Sequence, residues 1–334
     1  MNKLVSIIIP CLNEEEYISD CLESILSQSY PQNLLEIFIV DGGSSDQSIE
    51  IISTYTNKYE HIYLLHNPDK ITPVSMNMGL NKANGDIVCI LGAHSTIDHN
   101  FFTNGVMELN SSKAMVVGGP VTHNGKNYRG QVIALAMQSQ FGVGNSIFRT
   151  AQKRQLVDTV AFGLYRKEIF QQVGNFDEAL IRNQDFELNQ RIIQSGHHIL
   201  FSPSIKSTYF TRKSLSSLFR QYFHYGFWKV QVIRKNIQSF KLRYRVPLLF
   251  VVLGILLIIG SIVSPQIFLI FKALMVTYFV IAVFFSIHAN RWEKPHLLLL
   301  TPIVYFILHT SFGLGLCTGL FSFLFSHNSS KISF

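Results

Sequence analysis

The residues of this chain best suited to hold a small molecule lie in four short segments, Pro10–Glu14, Asp41–Asp46, His66–Lys70 and Gly92–Thr96. Each follows an apolar run of strand length, and in an open parallel sheet ligands bind beyond the carboxyl ends of the strands. Asp41 offers two acceptors to a base or a ribose, and Gly42 and Gly43 let the backbone approach a ligand closely. Taken alone, that loop also reads as a plain strand-to-helix turn with Asp46 as the cap. No Gly-x-Gly-x-x-Gly follows the first strand and no Gly-x-x-x-x-Gly-Lys-Ser/Thr occurs, which removes the ordinary dinucleotide and P-loop chemistries. Cys11, Cys21, Cys89 and Cys317 have no metal-ligand or redox spacing, so buried, reduced thiols are expected.

Those segments need a scaffold, and the first hundred residues spell one. Val5–Ile9, Ile37–Val40, Ile62–Leu65 and Asp86–Leu91 read as buried strands. Between them fall a helix over Glu14–Gln28 with Ile18, Leu22, Ile25 and Leu26 on one face, and a second with Ile49, Ile52 and Tyr55 on one side. A third is capped by Thr72, with Pro73 at its first position, and ends near Gly85. Strand–helix alternation with continuous apolar strands predicts a parallel sheet covered on both faces, an α/β fold. Met1-Asn2-Lys3 runs straight into the first strand, so no cleavable leader is expected.

The last third of the 334 residues has a different composition. Residues 246–326 carry only Lys272, Arg291, Glu293 and Lys294 as charges. Residues 246–263, 267–287 and 296–325 are apolar runs of membrane-spanning length, and Gly315 and Gly319 would allow close helix packing or dimerisation. Much of the net charge of +7 sits just before the first run, in Arg212, Lys213, Arg220, Lys229, Arg234, Lys235, Lys241, Arg243 and Arg245. Because the apolar run follows at once, a belt facing anionic headgroups is expected rather than a nucleic-acid surface. The loop with Arg291 and Lys294 is also basic, so three spans with the N-terminal domain in the cytosol and the C-terminus outside satisfy the positive-inside rule. Lys272 is expected to snorkel or pair within the bundle.

Four motifs in order resemble family 2 glycosyltransferases of the GT-A fold. Val5-Ser6-Ile7-Ile8-Ile9-Pro10-x-x-Asn13-Glu14 is similar to that family's opening strand and nucleotide-contacting turn, and Ile39–Asp46 to its second motif, whose first Asp reads the base. Gly79, Ala83 and Gly85-Asp86 fall where the family has the helix before its metal-site strand, and Val173–Glu178 with Asn183-Gln184-Asp185 resembles its acceptor-side signature. The resemblance covers roughly residues 3–230. It implies an inverting transfer of sugar from a nucleotide-sugar, a UDP-sugar above all, to a lipid-linked saccharide acceptor at the inner face of a bacterial membrane, in surface-glycan synthesis. It implies a GT-A domain over 1–212, and the composition adds an amphipathic basic segment over 213–245, a three-helix membrane region over 246–326 and a tail over 327–334.

By the same resemblance Asp185 is the candidate base that deprotonates the acceptor, although Gln184 stands where the family has Glu. Pro10, Asn13, Glu14, Asp41, Gly43, Lys70, Ala93 and His94 are candidate nucleotide-sugar contacts, and Arg220 or His224 candidate diphosphate or acceptor contacts. The family's Asp-x-Asp is here Gly92-Ala93-His94; members similar to succinoglycan transferases carry Asp-x-His. His94 is thus the candidate ligand of a divalent Mn or Mg ion, one carboxylate short unless Asp98 or a water substitutes. Gln221-x-x-His224-Tyr225, in place of Gln-x-x-Arg-Trp, argues against a processive polymerase. A polyprenyl phosphate as the acceptor itself, or a catalytically silent membrane scaffold, are the competing expectations. Residues 120–157 carry no motif and are expected on the acceptor side.

Overall fold

The structure, a computed structural model, describes residues 3–144, 151–290 and 293–325, the last three as backbone. Arg291 and the tail over 327–334 lie outside the described residues. The chain forms two compact units, residues 1–122 with 147–209 and residues 123–146 with 210–334.

The first unit begins with the expected alternation: β1 (Val5–Cys11), α1 (Ile18–Leu26), β2 (Leu35–Asp41), α2 (Ser48–Thr56), β3 (Ile62–His66), α3 (Thr72–Lys82) and β4 (Ile87–Ile90). The chain continues through β5 (Ser95–Ile97), α4 (Phe101–Ser111), β6 (Val116–Gly118) and β7 (Val121–Asn124) to α5 (Tyr128–Gln138) and α6 (Gln140–Val143). It returns as β8 (Gln155–Val157), β9 (Leu164–Arg166), α7 (Glu168–Val173), α8 (Gln184–Gln194), β10 (Ile199–Phe201) and β11 (Ser207–Phe210). The main sheet has the order β3-β2-β1-β4-β9-β6-β10-β8. It is parallel from β3 to β4 and again between β6 and β10, while β9 runs antiparallel to both its neighbours and β8 antiparallel to β10.

The central strand explains the sheet's burial. Val5, Ile7, Ile9 and Cys11 of β1 join the core on one face and Ile8 the core on the other, so an unbroken apolar run buries both sides. Its one polar residue, Ser6, donates to the Glu36 carboxylate at 2.5 Å, which also accepts the N–H groups of Asn84 and Gly85. Two local expectations shift. Ile49 is exposed, because Ser48 and Ile52 form the buried edge of α2, and Ile71 rather than Thr72 occupies the cap position of α3.

In the second unit α9 (Leu215–Lys235) precedes α10 (Leu242–Ser261), α11 (Pro265–Asn290) and α12 (Thr301–Phe325). The last three are each long and apolar enough to cross a membrane. Residues 123–146 group with this unit as well. Val132, Ile133, Ala136 and Met137 of α5 share a buried cluster with Leu218, Tyr222, Ala282, Val304, Tyr305 and Leu308. The Phe141 carbonyl accepts from His309 at 2.7 Å, and the other His309 nitrogen meets the Tyr278 hydroxyl at 2.8 Å. Lys272 stands over the Phe268 ring, one turn nearer the α10–α11 turn, which fits snorkelling toward that end.

Candidate active site

β1, β2 and β3 end level, with Cys11 paired to Asp41 and Asp41 to His66. β4 ends at Ile90 opposite Ile8, so Gly92-Ala93-His94 leaves the sheet at the same edge. All four ligand segments expected from the sequence therefore gather on one rim.

Two of these segments are laced together. Asn13, in the left-handed region at φ 55°, donates its N–H to Ser44 Oγ at 2.9 Å and accepts from the Ser45 N–H at 2.8 Å. The Glu14 N–H donates to Ser48 Oγ, the Glu15 N–H to Asp46, and the Gln47 N–H to Glu15. Asp41 is 1 % exposed and its carboxylate accepts from the N–H groups of Gly43 and Ser44 and from Ser44 Oγ. Its oxygens are thus turned into their own loop, and Asp41 shapes the rim instead of presenting free acceptors on it. Gly43 has φ 85°, and a Cβ there would stand 3.2 Å from Lys70 Cε, so glycine both makes the turn and leaves room for the Lys70 stem. Lys70 is exposed, itself in the left-handed region at φ 60°.

His94 and Glu14 are hydrogen-bonded on this rim, Nδ1 to Oε1 at 2.7 Å, with side chains 21 % and 16 % exposed. The Tyr17 and Tyr209 rings stand edge-on to the imidazole at 6.5 and 4.8 Å between centroids. A carboxylate on Nδ1 fixes ring orientation and leaves Nε2 as the working nitrogen. Ala93 is 1 % exposed in the core, so its side chain cannot reach a ligand and only its backbone remains available. Asp98 is exposed at the start of α4, its backbone holding Gln28 and Phe101. Among the described residues no group of three His, Cys, Asp or Glu is placed to hold a metal ion. A Cβ at Gly92 would meet only ordinary contacts, 3.4 Å to Phe162, so steric crowding does not explain the missing carboxylate.

Cys11 lies beneath the rim. Burial, then the charges of Glu14, Asp41 and Asp46, push its thiol from 9.0 to about 12. Since the thiolate is the reactive form, Cys11 is expected to resist iodoacetamide at pH 8.5 in the folded protein, and Cys21 and Cys89, fully buried, likewise. Mass spectrometry of alkylated peptides checks this; rapid modification of Cys11 before unfolding would show that the rim opens.

Asp185 is exposed in the first turn of α8, after Asn183 in the left-handed region at φ 63°. Phe186, Leu188 and Ile192 of the same helix are buried in the core, and Asn189 accepts from the Tyr165 hydroxyl of β9 at 3.3 Å. Burial, with the Asp185 charge adding to it, holds the Tyr165 phenol protonated far above its usual range. Two positioning residues escape the sequence reading. Arg191 donates to both Glu187 oxygens and to the carbonyls of Val173, Gly174 and Asn175, and Asn77 takes both the N–H and the carbonyl of Phe176. Together they clamp the Val173–Glu178 signature to α8 and α3. Arg220 and His224 lie on α9 of the second unit, Arg220 exposed.

Residues 6–174 match the family model for glycosyl transferase family 2. Over 324 residues the chain is 30 % identical to the dolichyl N-acetyl-α-D-glucosaminyl phosphate 3-β-D-2,3-diacetamido-2,3-dideoxy-β-D-glucuronosyltransferase of Methanococcus voltae, covering 95 % of this chain and 97 % of that one. It is 29 % identical to the succinoglycan biosynthesis protein ExoA of Rhizobium meliloti, over 72 % of this chain and 74 % of that protein. Among solved structures, the mannosyltransferase PcManGT of Pyrobaculum calidifontis, in complex with GDP-Man and Mn2+, superposes with a TM-score of 0.64 at 16 % identity over 98 % of this chain and 89 % of its own, which supports the GT-A fold. The family match over residues 6–174, the GT-A sheet and a relative that covers 95 % of the chain, apolar helices included, lead to one assignment: the chain belongs to glycosyltransferase family 2 and is a membrane-associated glycosyltransferase.

Proposed function

We propose that the chain transfers one sugar, with inversion, from a nucleotide-sugar held on the rim of Asn13, Glu14, Gly43, Lys70 and His94 to a lipid-linked saccharide at the cytoplasmic face of the cell membrane. The observation that carries this reading is a similarity covering 95 % of this chain, sheet domain and apolar helices together, to a relative whose name describes transfer onto a dolichyl-linked N-acetylglucosaminyl phosphate. A lipid-borne acceptor explains why one chain holds both a sheet-edge site and helices of membrane-spanning length. Asp185 accepts the proton of the acceptor hydroxyl as that oxygen attacks the anomeric carbon, and the donor's nucleoside diphosphate leaves. Lys70 Nζ lies near Gly43 on the rim and supplies a positive charge for the diphosphate. Asp41 acts through the loop it shapes. The basic residues from Arg212 to Arg245 set the orientation, with the first unit inside.

A divalent cation fits this rim only as one shared with the donor. With Nδ1 engaged by Glu14, His94 offers a single nitrogen, and Mg2+ ordinarily takes one or two protein groups plus substrate phosphates and waters. When bound, such a cation neutralises charge on the departing diphosphate. Glu14 then serves as a positioning residue that holds the imidazole plane.

The test is nucleotide release from UDP-, GDP- and dTDP-sugars, UDP-sugars first, by detergent-solubilised protein with bacterial lipid extract, in manganese, magnesium or chelator. Expected are turnover on one donor class that requires the lipid and a drop of at least tenfold with chelator, restored by manganese. Glu14→Gln is expected to weaken the manganese response by about tenfold, the order of magnitude for a lost carboxylate partner of a metal-bound histidine. Turnover unaffected by chelator removes the cation, and turnover without any lipid extract removes the lipid-linked acceptor. Nucleotide binding with no turnover on any donor sinks the proposed reaction and returns the silent scaffold.

A further inference from the structure

The three apolar helices of the second unit are not alike. Over their most apolar windows α10 and α11 are each 11 % buried, whereas α12 is 44 % buried. What covers α12 is chiefly α9. A Cβ on Gly226 of α9 would stand 2.2 Å from the Phe312 carbonyl oxygen, and one on Gly315 of α12 would stand 2.1 Å from the Phe223 carbonyl oxygen. Gly319 faces Val230 and the Phe227 carbonyl. These contacts advance together along both helices, so α9 and α12 run side by side in the same direction at backbone contact. Farther back, Leu218 and Tyr222 share a buried cluster with Val304, Tyr305 and Leu308. The glycines expected to allow either helix packing or dimerisation are thus occupied within the chain.

That partnership fixes the depth of α12. α9 carries Arg220, His224, Lys229, Arg234 and Lys235, and Arg220, Arg234 and Lys235 are exposed. From Arg220 to Lys235 the helix rises about 22 Å, short of a hydrocarbon layer of about 30 Å, so α9 cannot cross it with the exposed charges at both ends in water, while Lys229 between them is buried over the Tyr244 ring. A helix joined to α9 from Val304 to Gly319 lies where α9 lies, and the residues left over are too few to cross. α10 meets α12 near its own start, where a Cβ on Gly313 would stand 2.4 Å from the Pro247 carbonyl oxygen, but most of Val252–Val283 is exposed and apolar, folding back at the Ser264 turn.

We infer that α12 is not a third span. The α10–α11 hairpin crosses the membrane, and α9 with α12 forms a paired platform seated on the headgroup layer at the side from which α10 enters. Its partner is an anionic lipid surface. Exposed Phe219, Ile303, Leu320 and Phe321 suit the apolar boundary and Arg220, Arg234 and Lys235 suit the phosphates. This replaces the expected three-span arrangement and returns residue 322 to the side from which α10 enters.

The experiment places single cysteines at Gln266→Cys, beside the hairpin turn, and Ser322→Cys, near the end of α12, in the otherwise full-length chain carrying Cys317→Ala. Sealed vesicles of both orientations are treated with a membrane-impermeant maleimide. Expected is labelling of the two positions from opposite faces, each at least tenfold faster from its own side. Labelling of both from the same face overturns the inference, because a spanning α12 puts residue 322 beside the hairpin turn. Reaction of Ser322→Cys only after detergent also overturns it, since that places the helix end in hydrocarbon. Comparing the two positions with each other leaves the result independent of which face of the membrane holds the first unit.

Discussion

Replacing Asp185 with Asn is expected to lower sugar transfer by about 100- to 10,000-fold, the range for removing a general base, with the fold and donor binding intact. The substitution is close to isosteric. Asn retains the oxygen that accepts from the Phe186 N–H, and Phe186, Leu188 and Ile192 continue to hold α8 in the core. Asp185 is itself exposed, so the change should move stability by no more than about 0.5 kcal/mol, as for ordinary surface positions. Nucleotide release measured beside thermal unfolding and donor binding separates the two roles open to this carboxylate. A charge that only complements the first turn of a helix is worth about 0.3–1 kcal/mol. If the Asp185→Asn protein turns over within a few-fold of the parent, Asp185 is such a charge and the base lies elsewhere.

Much of the catalytic scaffold is legible in the sequence because its signals are local. The unbroken run Val5–Ile9 and its successors mark strand positions to within a few residues, and the rule that ligands meet the carboxyl ends of parallel strands picks the four loops that share the rim. Asp41 is legible as a residue and not as a geometry. Nothing in Asp41-Gly42-Gly43-Ser44 tells whether a carboxylate faces a ligand or closes on the N–H groups of its own turn, since both use the same acceptors. The Glu14–His94 pair spans 80 residues and depends on where two loops meet, which no periodicity encodes. Residues 123–146 are opaque for a related reason: the apolar side of α5 is completed by α11 and α12, more than a hundred residues away. The apolar run over 296–325 reads as a span because length and hydropathy report what a helix tolerates, while the backbone contact with α9 that decides its depth is tertiary.

Arg191 shows the same limit, and its replacement carries the largest expected effect on stability. From the sequence it is one basic residue near the end of a helix. In the fold, one planar guanidinium joins Glu187 to three consecutive carbonyls, at Val173, Gly174 and Asn175, with the side chain 25 % exposed. Arg191→Ala leaves those carbonyls and the 8 % exposed Glu187 carboxylate without their donor. Hydrogen bonds to charged groups contribute about 1.5–3 kcal/mol each and are not additive within one group, so a loss of about 2–4 kcal/mol is expected, read as a lower midpoint in thermal or denaturant unfolding. Arg191→Lys is expected to recover less than half of it, because an ammonium cannot reproduce the fork that reaches carboxylate and carbonyls together. Activity should fall with both variants, since the Val173–Glu178 segment and α8 lose their common anchor while Asp185 itself is unchanged. If Arg191→Ala unfolds within about 0.5 kcal/mol of the parent, the segment is held by Asn77 and the buried Phe176 side chain alone, and the guanidinium is a solvated bystander. If Lys restores full stability, the positive charge beside Glu187 matters and the carbonyl contacts do not.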